Sequence, residues 1–320
     1  EYDISYSLFY SGGVNMIYDA VLPAVASGTE DGVPFVRVEG IRDFDLRAVM
    51  ECGQCFRFSP VAGSRHECEY SGAAHGRFIA AATDGDALTL YNTDEAEYRA
   101  LWRGYFGLDT DYGAIKRDIL ARSDRPVLGE AVAVGGGIRI LRQEPWEALC
   151  SFIISQNNNI PRIRGLVRRV SETYGTPIDC TGLSVHGALA TEYSFPTPAA
   201  LAAAGVEAIA GLRTGFRAKY IYDAARRVSD GTLDLSAVAS VDSTAEAADM
   251  LMTVSGVGPK VAACTLLFGF ARLDAFPVDV WIKRVIAKYF PGDFNAAALG
   301  PYAGVAQQYL FYYEREKSSV

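Results

Sequence analysis

The sequence predicts an α+β protein in which an antiparallel β-sheet is followed by a helical region. Between Pro34 and Asn92, short runs of β-branched and aromatic residues alternate with Gly, Asp and Ser, as in strands joined by tight turns. After Asp94, a residue suited to cap a helix, apolar residues recur with helical spacing toward the C-terminus. Strands grouped first and helices grouped second favour α+β architecture over alternating βαβ units.

The predicted strands span residues 35–40, 55–60, 66–72, 76–83 and 87–92. Residues 1–34 are rich in Gly, Ser and Tyr without clear periodicity, and we predict a peripheral N-terminal extension there. Residues 35–140 are predicted to form the sheet subdomain, with accompanying helices at 96–106 and 112–123. A helical domain is predicted for residues 141–320, with helices at 145–156, 160–175, 198–205, 218–231, 243–254, 259–271, 280–290 and 301–316.

The composition argues against several classes of protein. The 320 residues contain no uninterrupted apolar run of the roughly 20 residues that a membrane helix needs, so no membrane partner is expected. The first residues lack the basic and apolar segments of a secretory signal. Six cysteines are too few for a disulfide scaffold, and the Cys52-x-x-Cys55 pair has no second pair to complete a zinc site. We therefore expect reduced thiols and no structural metal in a protein that is not secreted.

The overall charge argues against nucleic acid as a partner. The net charge is −8, whereas binding to phosphates needs clustered Lys and Arg. However, residues 1–34 hold five acids and no base, which leaves −3 for the remainder. That remainder includes a dense basic stretch with arginines at positions 162, 164, 168 and 169. Such a run is usually a solvated helix face, so composition alone does not indicate DNA.

A glycine-rich turn joins two helical segments near residue 256. Gly256 and Gly258 permit a tight turn, and Pro259 stands where a helix can begin. The helix N-terminus that follows presents unpaired N–H groups that suit a phosphate oxygen. A lone turn of this kind is more often an ordinary loop. Lys260, in the first turn of the next helix, and Asp279, a good N-cap 19 positions later, make the combination specific.

The hairpin, Lys260 and Asp279 at this spacing resemble the helix-hairpin-helix-Gly/Pro-Asp superfamily of DNA glycosylases. The resemblance implies that Lys260 is the nucleophile, which attacks C1′ and leads to a Schiff base. It also implies that the Asp279 carboxylate stabilises the positive charge that develops on the sugar. The resemblance further implies duplex DNA as the partner, which the protein would bind as a monomer in the nucleoid of a bacterium or the nucleus of a eukaryote.

Six ordered motifs extend the resemblance to the 8-oxoguanine DNA glycosylases over about residues 35–315. The motifs are GQCFRF at 53–58, LRQEPWEALCSFIISQNNNIPRI at 141–163, GFRAKY at 215–220, SGVGPKVAAC at 255–264, FPVDV at 276–280 and GPYAGVAQQYLF at 300–311. The resemblance implies an enzyme that excises 8-oxoguanine opposite cytosine and then cleaves the strand by β-elimination.

Four residues are implied to hold the flipped base. The Gly53 carbonyl would accept the N7–H that 8-oxoguanine has and guanine lacks. Cys264, one turn after the nucleophile, and Phe311 would contact the two faces of the base, and Gln307 would bind its Watson–Crick edge. Gly53 is also explained as a strand-start glycine, Cys264 as a core residue, and Gln307 and Phe311 as residues of a buried helix. For Phe311 the two explanations have about equal weight, so these roles come from the resemblance alone.

The resemblance also implies contacts to the opposite cytosine and to the DNA backbone. Asn157, Asn158, Arg162, Phe216 and Arg217 are implied on the opposite-base side, and Gly256 and Gly258 in the hairpin. Phe216 and Trp281 depart from the eukaryotic members, which have tyrosine and histidine at those positions. We therefore expect looser selectivity for cytosine.

Two alternatives stay open. One is another glycosylase of the superfamily; endonuclease III-like members carry an iron–sulfur cluster, yet no cysteine follows Cys264, and alkylated-base members lack the lysine. The other is a non-catalytic DNA-binding protein, which leaves Lys260 and Asp279 unexplained. No organic cofactor is expected, although a monovalent cation bound by hairpin carbonyls is compatible with the resemblance.

Overall fold

The structure, a computed structural model, describes residues 24–180, 191–292 and 294–318. One antiparallel sheet contains six strands in the order β1-β2-β6-β5-β4-β3. Its strands are β1 Val25–Glu30, β2 Val33–Val38, β3 Phe58–Pro60, β4 Cys68–Ala74, β5 Arg77–Asp84 and β6 Ala87–Tyr91. A two-residue ribbon, β7 Pro177–Ile178 and β8 Glu192–Tyr193, lies outside this sheet. The predicted antiparallel sheet is confirmed.

The helices follow the sheet in the chain, as predicted, with the exception of α1. They are α1 Leu46–Glu51, α2 Glu95–Glu97, α3 Arg103–Tyr105, α4 Tyr112–Ala121, α5 Pro126–Gly135, α6 Pro145–Ser155, α7 Ile160–Tyr174, α8 Pro198–Ile209, α9 Ala218–Ser229, α10 Leu235–Ser240, α11 Thr244–Met252, α12 Pro259–Gly269, α13 Val280–Tyr289 and α14 Ala303–Lys317. Asp94 caps α2 by accepting from the Glu97 N–H at 2.8 Å, as its position in the sequence predicted. The sequence analysis missed α1 and α10, which are short, and α5, whose residues are apolar except for Glu130.

The central strands β5 and β6 bury both of their faces, because apolar residues occupy both sides of these strands. Val36 and Leu90 face a core shared with α1 and with Trp102. Phe78 and Tyr91 face the other side, where Cys180 packs on them. One face of the sheet therefore packs against α1, the helix that leads into the turn containing Gly53.

The predicted N-terminal extension, residues 1–34, ends too late in the chain, because its described residues already belong to the sheet. Residues 25–30 form β1, which pairs with β2 as the edge strand of the sheet. Asp31 and Gly32, both with positive φ, make the connecting turn. The strand escaped the sequence analysis because an exposed edge strand of Ser, Gly and Thr lacks alternating hydrophobicity. The predicted extension at residues 1–23 lies outside the described residues.

The predicted boundary at residue 140 also differs from the packing. Residues of α4 and α5, such as Ile119 and Leu128, belong to the core of the helical region and not to the core beneath the sheet. Tyr309 of α14 lies against Gly135 at the end of α5. The helical body therefore draws on segments from both sides of the predicted boundary.

The segment Pro198–Ser229 is apolar and long enough, by composition, to cross a membrane. Its backbone is not one continuous helix, because Gly205, Arg213 and Gly215 have positive φ values of 80°, 63° and 62°. The segment consists of α8, two irregular turns and α9. These breaks make it a poor match to a membrane-spanning helix.

Candidate active site

The junction between α6 and α7 is the point where the predicted site residues from distant parts of the chain meet. Ser155, at the end of α6, accepts a hydrogen bond from Lys260 Nζ at 3.2 Å. The carbonyl of Asn157 accepts from Arg217 Nη2 at 2.9 Å. A Cβ placed on Gly53 would lie 3.6 Å from Cδ1 of Ile160, the first residue of α7. Three segments that are far apart in sequence thus converge on one helix junction.

The hairpin between α11 and α12 is held to the protein core by two apolar residues. Val254 and Val257 are buried, and the Val257 N–H donates to the Val254 carbonyl at 3.0 Å. Asp223 of α9 accepts from the Ser255 N–H at 2.9 Å. Gly258 caps α12 with no side-chain hydrogen bond, so the first N–H groups of this helix stay available. A helix thus begins where the glycine spacing predicted one, and phosphate binding at its N-terminus stays a prediction.

Replacing Gly256 with alanine is expected to lower the free energy of unfolding. Gly256 has φ +77°, and a Cβ there would lie 2.5 Å from the ring of Tyr220. Left-handed strain and the clash together give an expected loss of about 2–4 kcal/mol, measurable by urea denaturation.

Gly258→Ala is the matched control for this loss. Gly258 has an extended backbone, and nothing lies within 4 Å of the position that a Cβ would take there. Its expected change is within about 0.5 kcal/mol. Equal losses in the two variants would contradict a specific requirement for glycine at position 256.

Lys260 lies in the first turn of α12 and points toward α6. Besides its hydrogen bond to Ser155, its amine lies 5.3 Å from the centroid of the Phe152 ring. One turn later on the same helix face, the buried Cys264 thiol interacts with Lys260 and with the charge of Asp279. Burial raises the pKa of this thiol, the Asp279 charge raises it further, and Lys260 lowers it. The lysine and the aspartate thus act on one thiol.

Asp279 is the N-cap of α13, as predicted. Its Oδ1 accepts from the N–H groups of Trp281 and Ile282 at 3.0 and 2.9 Å. Within the part of the chain that the structure describes, Oδ2 accepts no hydrogen bond, and Asp279 forms no ion pair with Lys260 within 4.0 Å. One carboxylate oxygen is therefore held by the helix while the other is available.

Of the predicted base-pocket residues, Gly53 and Phe311 lie close together, and Gln307 is one turn from Phe311 on α14. Gly53 has φ +82°, and a Cβ there would lie 3.8 Å from Phe311 Cε1. Gln307 is 4% exposed, and no described residue bonds to its Oε1. A buried amide oxygen without a partner is costly, which suits a position that a ligand completes.

The asparagines at the α6–α7 junction have different local roles. Asn157 is exposed and adopts the left-handed conformation with φ +47°. Asn158 Nδ2 donates to the Ile154 carbonyl at 3.1 Å, and Asn159 Oδ1 caps α7 through the Arg162 N–H at 3.0 Å. Of the three asparagines, Asn157 is thus the one whose side chain neither bonds to α6 nor caps α7.

Arg217 is 3% exposed, and its guanidinium donates to the main-chain carbonyls of Gln156 and Asn157. Burial lowers the pKa of Arg217, and the neighbouring Arg162 charge lowers it further. Phe216 lies beside the guanidinium and is 51% exposed. Arg217 therefore holds the Asn157 loop, while Phe216 and Arg162 face solvent.

The surroundings of Asp279 are apolar and accessible. Val278 and Val280, on either side of it, are among the few large hydrophobic side chains that the described residues leave exposed, as is Phe216. These exposed apolar side chains, together with the N-terminus of α12, which has no side-chain cap, suit a ligand with both phosphates and stacked rings.

Residues 24–180, 191–292 and 294–318 contain no group of three or more His, Cys, Asp or Glu side chains that could hold a metal ion. Cys52 and Cys55 are both buried as free thiols, and burial raises the pKa of Cys52 to about 11. A monovalent cation bound by hairpin carbonyls stays a prediction, since main-chain ligands are a different kind of site.

Several residues near the site escaped the sequence analysis. Ser155 contacts the amine of Lys260, Asp223 holds the hairpin, and Tyr220 packs on Gly256. Ser155 and Tyr220 stand inside two of the six motifs, but nothing in their spacing distinguishes them from packing residues. Asp223 lies outside every motif.

Comparison with known proteins identifies two matching families. Residues 38–149 match the family described as 8-oxoguanine DNA glycosylase, N-terminal domain. Residues 150–296 match the HhH-GPD superfamily base excision DNA repair protein family.

Two solved structures are similar over nearly the whole chain. The structure of MBOgg1 in complex with a low affinity DNA ligand is 41% identical in sequence, with a TM-score of 0.82. The match covers 92% of this chain and 99% of the MBOgg1 chain. The Clostridium acetobutylicum 8-oxoguanine glycosylase/lyase, in complex with duplex DNA containing cytosine opposite 8-oxoG, is 35% identical with a TM-score of 0.81, covering 93% of this chain and 99% of that one.

A curated relative is the N-glycosylase/DNA lyase of Saccharomyces cerevisiae, 37% identical over 194 residues. The match covers 57% of this chain and 48% of the relative. The chain thus spans about half the length of the curated relatives it matches.

Proposed function

Because the chain belongs to the 8-oxoguanine DNA glycosylase family of the HhH-GPD superfamily, we propose that it excises 8-oxoguanine opposite cytosine from duplex DNA and then cleaves the strand as a lyase. The relatives named as glycosylase/lyases support both activities. Duplex DNA is the proposed partner, bound by a monomer in the nucleoid or the nucleus.

One observation carries the proposal: the amine of Lys260 and the Gly53 turn both lie against the α6–α7 junction, Lys260 at Ser155 and Gly53 at Ile160. Lys260 reaches the end of α6 through Ser155 and the Phe152 ring. Phe56, three residues after Gly53, packs edge-to-face on that same Phe152 ring at 5.8 Å. A nucleophile and a base-reading turn on one helix junction suit an enzyme that acts on a flipped base.

The proposed reaction uses Lys260 and Asp279 in separate roles. The unprotonated amine attacks C1′ as the bond to the base breaks, and the electron pair of that bond leaves with the base. The Asp279 carboxylate, with its second oxygen available, stabilises the positive charge on the sugar. Ring opening yields a Schiff base, from which loss of the C2′ proton expels the 3′ phosphate.

Recognition of the base is assigned to the residues that line the pocket. Phe311 would stack on one face, with Cys264 on the other, and the Gln307 amide would bind the Watson–Crick edge. The Gly53 carbonyl would accept N7–H from 8-oxoguanine, whereas guanine presents a lone pair there and is repelled. Discrimination between 8-oxoguanine and guanine thus depends on the position of the Gly53 carbonyl oxygen.

The strand contacts are assigned around the hairpin and the α6–α7 junction. The N–H groups of Gly256, Gly258 and Lys260 would bind a phosphate, and a monovalent cation at the hairpin carbonyls would add to this charge. Phe216 would wedge into the base stack, while Asn157 and Arg162 contact the unpaired cytosine. Arg217 would reach the cytosine from its position against the Asn157 carbonyl.

The test is cleavage of a 5′-labelled duplex that carries one 8-oxoguanine opposite cytosine, with the guanine duplex as control. We expect strand cleavage of the damaged duplex without alkali, because the lyase step follows excision. Cleavage only after hot alkali would remove the lyase half of the proposal. Binding without cleavage would favour a non-catalytic protein, and cleavage at a different damaged base would favour another glycosylase of the superfamily.

Asn157→Gly is expected to reduce the preference for cytosine by roughly tenfold, the scale of one base contact. Glycine keeps the left-handed backbone at this position and removes only the side chain. The measurement is single-turnover excision of 8-oxoguanine opposite C, A, G and T.

Asn92→Gly is the matched control, since Asn92 also has positive φ but lies beside the sheet and bonds to the Phe78 carbonyl. Its opposite-base profile should equal that of the native chain. An unchanged profile in Asn157→Gly would remove the assigned role of this asparagine.

A further inference from the structure

The turn that contains Gly53 has both neighbouring carbonyl groups held by buried amide side chains. The Cys52 carbonyl accepts from Gln308 Nε2 at 2.8 Å. The Gln54 carbonyl accepts from Gln143 Nε2 at 2.7 Å. Between them, the Gly53 carbonyl accepts no hydrogen bond from the described residues. The turn thus leaves one carbonyl available and fixes the two beside it.

The residue after Gly53, Gln54, is anchored by main-chain groups of α1 and of residues 139–141. The Gln54 side chain donates to the Val49 and Arg139 carbonyls and accepts from the Leu141 N–H, each at 2.9 Å. These three bonds are buried. They orient Gln54 independently of the helix that carries the base-pocket residues.

The first half of the turn is anchored instead to α14. Gln308 is 3% exposed, and Cys52, whose carbonyl it binds, is also buried. Arg315, two turns later, donates to the Glu51 carbonyl at 2.7 Å but lies nearer the surface. Gln308 therefore links α14 to Cys52, the residue immediately before Gly53, through a buried hydrogen bond.

The same helix positions the two side chains assigned to the base. Gln307 precedes Gln308 directly, and Phe311 follows one turn later against Gly53. Consequently, the bond from Gln308 to Cys52 sets the distance between the base-binding face of α14 and the Gly53 carbonyl. A hydrogen bond to N7–H needs that oxygen placed within a few tenths of an ångström.

We infer that Gln308 is a positioning residue that fixes the Gly53 carbonyl relative to α14 and thereby sets discrimination between 8-oxoguanine and guanine. The inference rests on the proposed function, because it concerns the same pocket. Gln308 itself does not touch the base; it acts through the main chain of Cys52 and Gly53. Loss of its amide should therefore weaken binding of the damaged base selectively.

The experiment is equilibrium binding in a Lys260→Gln background, which blocks turnover. Fluorescence anisotropy gives Kd for a duplex with 8-oxoguanine opposite cytosine and for the same duplex with guanine. Adding Gln308→Met keeps the side-chain length and removes the donor. We expect about tenfold weaker binding of the damaged duplex, the size of one lost hydrogen bond, and a change within about twofold for the guanine duplex.

Gln308→Asn is a second variant, polar but too short to reach the Cys52 carbonyl, and it should show the same selective loss. Tyr309→Phe is the matched control: it removes the bond that the adjacent buried residue of α14 donates to the Ile138 carbonyl, and it leaves the bonds to Cys52 and Gln54 in place. This control should change neither Kd. Urea denaturation of each variant establishes that the folded protein is measured.

Equal losses on both duplexes, or no loss on either, would overturn the inference about Gln308 and leave the proposed substrate intact. A Lys260→Gln background that binds the two duplexes equally would instead remove the proposed substrate, and the inference with it. The two failures are therefore distinguishable in one set of measurements.

Discussion

Replacing Lys260 with glutamine is expected to abolish the covalent adduct that borohydride traps on a duplex with 8-oxoguanine opposite cytosine. Glutamine keeps polarity and approximate length, so it can still contact Ser155, but its amide cannot form a Schiff base. Single-turnover excision should fall by roughly 1,000-fold or more, the scale on which loss of a nucleophile acts.

Lys288→Gln is the matched control for this substitution. It removes one lysine charge from α13, where Lys288 pairs with Glu314 at 3.2 Å, away from the α6–α7 junction. Adduct formation in this variant should match the native chain. A trapped adduct of undiminished yield in Lys260→Gln would assign the nucleophile to another amine.

Asp279→Asn is expected to slow excision by roughly 10²–10³-fold while the protein stays folded. The rate should fall because a neutral amide cannot stabilise positive charge on the sugar, and loss of one preorganised electrostatic group has this magnitude. The fold should persist, because the asparagine oxygen can still accept from the Trp281 and Ile282 N–H groups and caps helices about as well as aspartate. Single-turnover excision and urea denaturation measure the two effects.

Asp234→Asn separates the charge effect from the capping effect. Asp234 caps α10 by accepting from the Ser236 N–H at 2.8 Å, in a helix outside the site. Its substitution should alter stability as Asp279→Asn does, with excision unchanged. Full excision activity in a folded Asp279→Asn protein would refute the electrostatic role.

Features that depend on contiguous residues were predictable from the sequence. The caps at Asp94 and Asp279 follow from side chains that bind N–H groups two or three residues on. The tight turn at Gly256 and the helix starting at Pro259 follow from backbone preferences of those residues. Because these signals depend only on neighbouring residues, they can be identified from a single sequence.

The site required contacts that no local signal contains. Gly53 and Phe311 were associated only through the resemblance, and the structure brings them together from distant parts of the chain by packing α14 against the turn after α1. Arg217 was expected at the opposite base, and its buried guanidinium also holds the Asn157 loop, a contact that the sequence does not indicate. A guanidinium forms the same donor geometry toward a base or a carbonyl, so its target depends on its surroundings.

By itself, then, the sequence determined the order of sheet and helices, the hairpin, and the placing of Lys260 and Asp279 at two helix N-termini. Only the tertiary structure decided that β1 completes the sheet, that α4 and α5 join the helical core, and that Gln308 reaches the Cys52 carbonyl. The reason is physical: helix periods, caps and turns are set by neighbours in the chain. The partner of a buried side chain is set by which surfaces pack together, and that choice is made by the whole fold.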